Sequence, residues 1–255
     1  MRKLLLASVA MIAMGATGAA NADPVQQVTN ALAAAIAQRV GDQVSANQSA
    51  DLRNSVSGNF GASGVSGTST FFGMGSLDSW VSPDHLFGGA FDYATDDKNS
   101  FNVYGGSGYF ADVYKRTDRS AAFVLLILNI AQFDTPLISQ TSFAGTVDAN
   151  WQWRGDMHVT RFDIGYTGSG TTGGGSYASN IFANVEEDFL HGTWTPYLDG
   201  GISEVIVSGF NQTSGHAGAG FRAEVSDRTT FNLDGGANIS NQTGWYANAS
   251  LRARF

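Results

Sequence analysis

The sequence predicts an all-β fold: one closed antiparallel transmembrane barrel of about twelve strands, ten being possible, with an N-terminal helix in or below its lumen. Three observations predict it. The last strand-like run, Gly244 to Phe255, alternates cleanly and stops on an aromatic residue: Trp245, Ala247, Ala249, Leu251, Ala253 and Phe255 share one face, and Tyr246, Asn248, Ser250, Arg252 and Arg254 share the other. Similar alternation recurs about every 15 residues through the chain, and an export signal precedes it. A period-2 strand hides its apolar face in a water-soluble core or turns it to lipid, keeping the polar face for a lumen. Repetition together with export selects the second case.

The leader comes first. Met1 to Ala22 reads as a signal peptide, with Arg2 and Lys3 basic, Leu4 to Met14 apolar, and Ala20-Asn21-Ala22 a small-residue cleavage site. Its apolar stretch is far shorter than the ~20 residues a spanning helix needs. The most apolar later segment, Ala121 to Ala131, has strand length and no more. Losing Arg2 and Lys3 with the leader takes the net charge from −8 to −10, and an acidic surface argues against nucleic acid as a partner. The chain has no cysteine, which excludes disulfides and thiolate metal sites. Glycine is abundant at 32, but 17 Phe, 8 Tyr and 5 Trp placed periodically argue against disorder.

Residues 23–50 form the only helix-like stretch, with Val28, Leu32, Ile36, Val40 and Val44 recurring every fourth residue. The barrel region is 51–255. Twelve strand candidates follow, at approximately 54–65, 68–81, 85–95, 99–114, 120–133, 140–154, 157–168, 176–190, 194–209, 215–226, 229–240 and 244–255. In the sixth, Phe143, Val147, Ala149, Trp151 and Trp153 oppose Thr146, Asp148, Asn150, Gln152 and Arg154. The tenth sets Ala217, Ala219, Phe221, Ala223 and Val225 against His216, Arg222 and Glu224, and the eleventh sets Phe231, Leu233, Ala237 and Ile239 against Asn232, Asp234 and Asn238. The predicted lumen therefore includes Asp148, Asn150, Arg222, Glu224, Asp234 and Arg252. The second and ninth strands are ambiguous, and the fifth is apolar on both faces.

The connections alternate in character. Ser82-Pro83-Asp84, Arg116 to Arg119, Arg154-Gly155-Asp156, His191-Gly192-Thr193 and Ser226-Asp227-Arg228 are mostly tight and charged. The intervening ones, including Gly168 to Gly175 and Asn211 to Ser214, are rich in Gly, Ser, Thr and Asn. Short periplasmic turns and looser outer loops mark bacterial outer-membrane barrels, which need an even strand number. Trp80, Trp151, Trp153, Trp194, Trp245 and Phe255 near strand ends suit interfacial girdles. In hydrocarbon every backbone polar group must be paired, so the sheet edges have to meet.

A helical segment, about twelve strands and a terminal aromatic together resemble the translocator (β) domain of autotransporters. His85-Leu-Phe-Gly-Gly-Ala-Phe-Asp-Tyr93 resembles that family's early Gly-rich strand, Trp194-Thr-Pro-Tyr-Leu198 its strand beginning with Thr-Pro-Tyr, and His216 to Phe255 its closing three strands. The resemblance covers about residues 25–255 and implies a twelve-stranded barrel with the helix threaded through the lumen, serving secretion or pore formation. Autotransporters carry a passenger of hundreds of residues before the helix; here the helix begins almost at the cleavage site, and its segment has no Asn-Asn pair. For the terminal assembly signal of outer-membrane proteins, Asn248 and Phe255 match, while Ser250 and Ala253 stand where Gly and an aromatic are preferred. The implied partners are outer-membrane lipid and the barrel-assembly machinery, with the protein a monomer.

No motif points to an enzyme, a cofactor or a metal. Gly168-Ser-Gly170-Thr-Thr-Gly173 matches GxGxxG, but more glycines and a strand follow it, where a nucleotide site needs a helix. Arg154-Gly155-Asp156 reads as turn chemistry. His85, His158, His191 and His216 lack metal spacing, and His158-Val-Thr160 has Thr where barrel hydrolases use Ser. Glu186-Glu187-Asp188 reads as a solvated acidic run with two members pointing into the lumen. The alternatives to a translocator are a small-solute porin and, behind it, a barrel hydrolase.

Overall fold

The computed structural model describes residues 36, 40, 41, 43, 44, 54–65, 68–96, 102–135, 139–172, 177–207, 210–239 and 243–255. The leader and most of the 23–50 stretch lie outside these residues. The strands are β1 (Ser55–Val65), β2 (Thr68–Trp80), β3 (His85–Asp96), β4 (Asn102–Arg116), β5 (Ser120–Asp134), β6 (Ser139–Arg154), β7 (His158–Thr171), β8 (Tyr177–Phe189), β9 (Trp194–Val207), β10 (Phe210–Ser226), β11 (Thr229–Ile239) and β12 (Thr243–Arg254). Each pairs antiparallel with its sequence neighbours. β1 meets β12 from Ser55↔Arg254 to Gly64↔Trp245, which closes the barrel at twelve strands. Only closure of the sheet into a barrel satisfies its ladder without presenting an edge to lipid.

The five connections that read as tight and charged gather at one end, together with the start of β1 and the end of β12. Their side chains close the turns. The Ser82 hydroxyl accepts from the His85 amide (3.1 Å), the Thr117 hydroxyl accepts from the Ser120 amide (2.9 Å), and Gly192 takes φ 62°, a left-handed value that suits glycine. Asn211 to Ser214, expected in a loop, belong to β10, and β7 runs on through Gly168 and Gly170 to Thr171. Thr, Ser and Asn are no obstacle to a strand whose inner face is polar, so composition alone misplaced these loop boundaries. The Gly168–Gly170 part of the GxGxxG run is thus ladder paired to β6 and β8.

Burial is inverted relative to a soluble sheet. Along β6, Thr146, Asp148, Asn150 and Gln152 are buried, while Val147 is 51% exposed and Phe143 and Trp153 similarly open. Outward positions carry Phe60, Phe91, Leu128, Ile164, Ile202 and Leu251, an apolar belt on which hydrocarbon replaces water. The predicted facing of β6, β10, β11 and β12 matches this pattern except at Arg154 and Glu224, which are exposed at the tight-turn end. Trp80 departs from the girdle expectation. β2 turns its even residues inward, so Trp80 is buried in the lumen with Phe72, Met74 and Asp78. Trp153, Trp194, Trp245 and Phe255 are exposed.

The apolar character of both faces of β5 has a packing reason. Inward Phe123, Leu125 and Ile127 join Phe72, Met74, Leu86, Val103, Ala111 and Val113 in one apolar cluster that also holds Ile36, Val40 and Val44. The inner wall from β2 to β5 is therefore the seat of Ile36, Val40 and Val44. From β6 to β12 the inner wall is mainly polar.

Candidate functional site

The lumen carries three arrangements worth building from their residues. The first is the seat. The described residues 36, 40, 41, 43 and 44 are helical, and a four-residue spacing puts Ile36, Val40 and Val44 on one stripe, all fully buried. Gln43 fixes this stripe at the tight-turn end. Its Nε2 donates to Ser55 Oγ (3.0 Å) and to Asp78 Oδ2, and its Oε1 accepts from Trp80 Nε1 (3.0 Å). Asp78 also accepts from Ser55 Oγ (2.9 Å) and from the Tyr109 hydroxyl. Across the lumen, Gln152 Nε2 donates to the Gly41 carbonyl (2.7 Å). Both donors and the acceptor of the Gln43 amide are thus engaged away from water, where leaving one unmade costs about 1–3 kcal/mol.

The second arrangement is a buried ion quartet. Arg161 of β7 and Arg222 of β10 clasp two carboxylates of β8. Arg161 lies 2.7 Å from Glu186 and 2.8 Å from Asp188, and Arg222 lies 2.8 Å and 2.7 Å from the same two. The Arg222 guanidinium also sits 4.9 Å from the Tyr197 ring centroid, and the Tyr197 hydroxyl donates to Asn232 Oδ1 (2.6 Å). One network therefore ties β7 to β11. The acidic run expected to be solvated is split by strand parity: Glu186 and Asp188 are buried in ion pairs, and Glu187 accepts from the Thr160 hydroxyl (2.6 Å). The two arginines that neutralise it are remote in sequence, so no local signal could reveal the quartet.

The third arrangement is a stretch of polar wall where some buried oxygens lack a hydrogen bond. Oδ1 of Asn150 and Oδ1 of Asp163 are buried without a hydrogen bond, and the fully buried Asp148 carboxylate lies against the Asn150 side chain. Asp163 stands opposite Asn150 in the β6–β7 register, diagonal to Asp148, and its Oδ2 accepts from Asn184 Nδ2 (2.5 Å). Rings elsewhere lie flat against the wall: Tyr109 covers Gly88 and Tyr246 covers Gly218, positions where a Cβ would collide with the ring.

The other predicted residues are placed as follows. Arg252 and Asp234 are buried, and Asn248 Nδ2 donates to Asp234 Oδ1 (3.0 Å). Glu224 departs from the lumen expectation. It pairs with Thr230 on the inward parity but adjoins a bulge between Glu224 and Ser226 and is exposed at the rim. Ser250 is half-buried on the inward parity and Ala253 lies on the outward one, while Phe255 is exposed with its amide donating to the Asn54 carbonyl (2.9 Å). His85, His158 and His191 are exposed at strand ends, and His216 lies in the lumen 3.4 Å from Asp199.

Among solved structures, the chain is similar to the β-domain of the Bordetella autotransporter BrkA, with TM-score 0.58 and 13% identity over 80% of this chain and 100% of that one. It is similar to the translocator domain of the autotransporter NalP from Neisseria meningitidis, with TM-score 0.57 and 12% identity over 89% and 98% of the two chains. It is also similar to an outer-membrane channel from Pseudomonas putida F1, with TM-score 0.60 and 6% identity over 80% and 96%. These are likenesses of fold, that of outer-membrane barrels. No family model matches the chain, and no curated protein sequence matches it.

Proposed function

We propose that this chain is an integral outer-membrane barrel of the autotransporter translocator type, non-catalytic, whose lumen is occupied by its own N-terminal segment. The observation that carries this reading is the seat: an apolar stripe against β2–β5, locked by Gln43 and by the Gly41 carbonyl. The likeness to two autotransporter β-domains supports it, as does the apolar belt that suits an outer-membrane setting. Its partners are outer-membrane lipid and, through Asn248 and Phe255 at the C-terminus, the barrel-assembly machinery. The non-catalytic reading is supported by the histidines: three sit on the rim, and the fourth pairs with a carboxylate.

A porin is the second reading, favoured by the polar β6–β12 wall and by the likeness to a channel. Planar bilayers separate the two. Under the plug reading the purified chain gives small, rare conductance that jumps when residues 25–50 are deleted and rises in part in Gln43→Ala. Large, steady conductance from the intact chain, unchanged by the deletion, overturns the plug and leaves the porin.

A further inference from the structure

We infer that the hold of the β2–β5 wall on Ile36, Val40 and Val44 is set by the ionisation of Asp92, tight when this carboxyl is neutral and loosened when it is charged, an inference that rests on the plug reading. Asp92 interrupts a wall that is otherwise apolar at its level. One row of the register crosses β2 to β5 as Met74, Asp92, Gly105 and Ala131. Met74, Ala94 and Ala131 belong to the cluster that holds Ile36, Val40 and Val44, and Ala90 packs against it. Asp92 is only 9% exposed, and neither of its oxygens has a hydrogen bond. Gly105 makes room for it. A Cβ there would lie 2.8 Å from Asp92 Oδ1 and 3.2 Å from the Ala131 Cβ, so any side chain at 105 would displace the carboxyl.

Nothing beside it supplies a counter-charge. On the inner face β2 presents Phe72, Met74 and Ser76, β4 presents Val103 and Ser107, β5 presents Asn129 and Ala131, and none of these titrates. Asn129 Nδ2 is engaged with Ser107 Oγ (2.9 Å). The other titratable groups described on this wall lie towards the tight-turn end: Asp78 and Tyr109, bonded to one another, and Arg116 beside Trp80. A neutral carboxyl in an apolar contact costs its unmade hydrogen bonds, whereas a carboxylate without a counter-charge costs far more. Parting Ile36, Val40 and Val44 from the wall admits water to Asp92, which solvates the charged form. Ionisation and release are therefore linked, and the hold weakens as pH rises.

The chain has no cysteine, so Val40→Cys carries a single thiol. The test is its rate of reaction with a water-soluble maleimide in detergent at about pH 5 and about pH 8, taken relative to Asp156→Cys, in an exposed turn, at the same pH. The relative rate should rise about threefold or more between the two conditions, and stay flat when Asp92→Asn is added. Asp112→Asn, exposed at the rim, should keep the rise. Heat-modifiable gel mobility confirms that each variant is folded at both pH values. A protected Val40→Cys whose relative rate does not rise overturns the inference even if Asp92→Asn fails to fold. A rise that persists in folded Asp92→Asn overturns the role of Asp92 and leaves the plug standing. A Val40→Cys that reacts as fast as Asp156→Cys at both pH values overturns the plug reading, and the inference with it.

Discussion

At the scale of single residues, the lumen is decided by whether each buried charge has found its counter-charge. Arg222 serves two carboxylates and one aromatic face, so Arg222→Met removes one of the two arginines that clasp Glu186 and Asp188. The expected loss is about 3–5 kcal/mol, because an uncompensated buried charge remains. The check is the urea midpoint for loss of the heat-modifiable form, with Glu187→Gln, off the lumen face, shifting it far less. Facing sets a second contrast. Val147→Arg puts a charge on the lipid side near the middle of β6 and should cost about 2–4 kcal/mol. Asn150→Arg brings a guanidinium to Asp148 and Asp163 and should cost less. Equal sensitivity at the two positions would mean that β6 is buried in apolar surroundings on both sides.

At the scale of elements, β5 and β12 show how one period serves two purposes. β5 is apolar on its outer face for lipid and on its inner face for Ile36, Val40 and Val44, so its alternation vanishes from the sequence while its strand geometry persists. β12 keeps its alternation because its inner partners are Asn232, Asp234 and Asn59, all polar. It also closes the ladder, with the Phe255 amide bonded to Asn54 beyond the last strand pair. Deleting Phe255 removes that bond and an exposed aromatic anchor together. Because Ser250 and Ala253 already depart from the preferred terminal pattern, the deletion should strongly lower outer-membrane yield and leave degraded periplasmic material. Normal amounts of heat-modifiable protein in outer-membrane fractions would refute a role for this residue in assembly.

At the scale of the whole molecule, closure has a plain physical signature. A ladder without an edge offers no place to begin unzipping in detergent, so the unboiled protein should migrate faster than the boiled one and resist carbonate extraction from outer membranes. Recovery as a soluble periplasmic protein would contradict the inside-out burial that defines the barrel.

Fold class was legible in the sequence, as was the facing of β6, β10, β11 and β12, because alternation is a local property, while the strand number stayed open between ten and twelve. Period 2 reports which side of a strand meets lipid, as in Val147 against Asp148, and tight turns report hairpins, as at Ser82 to Asp84. The partnerships inside the lumen were not legible. Trp80 read as an interfacial anchor until the inward parity of β2 placed it on Gln43, and Glu186 and Asp188 read as solvated until Arg161 and Arg222 arrived from other strands. Those contacts depend on which strands curl to face one another around a closed sheet, a long-range geometry that no window of neighbouring residues records. The sequence by itself determined that this chain forms a barrel with an apolar outside. Only the tertiary structure decided which wall packs against Ile36, Val40 and Val44 and which wall is left polar.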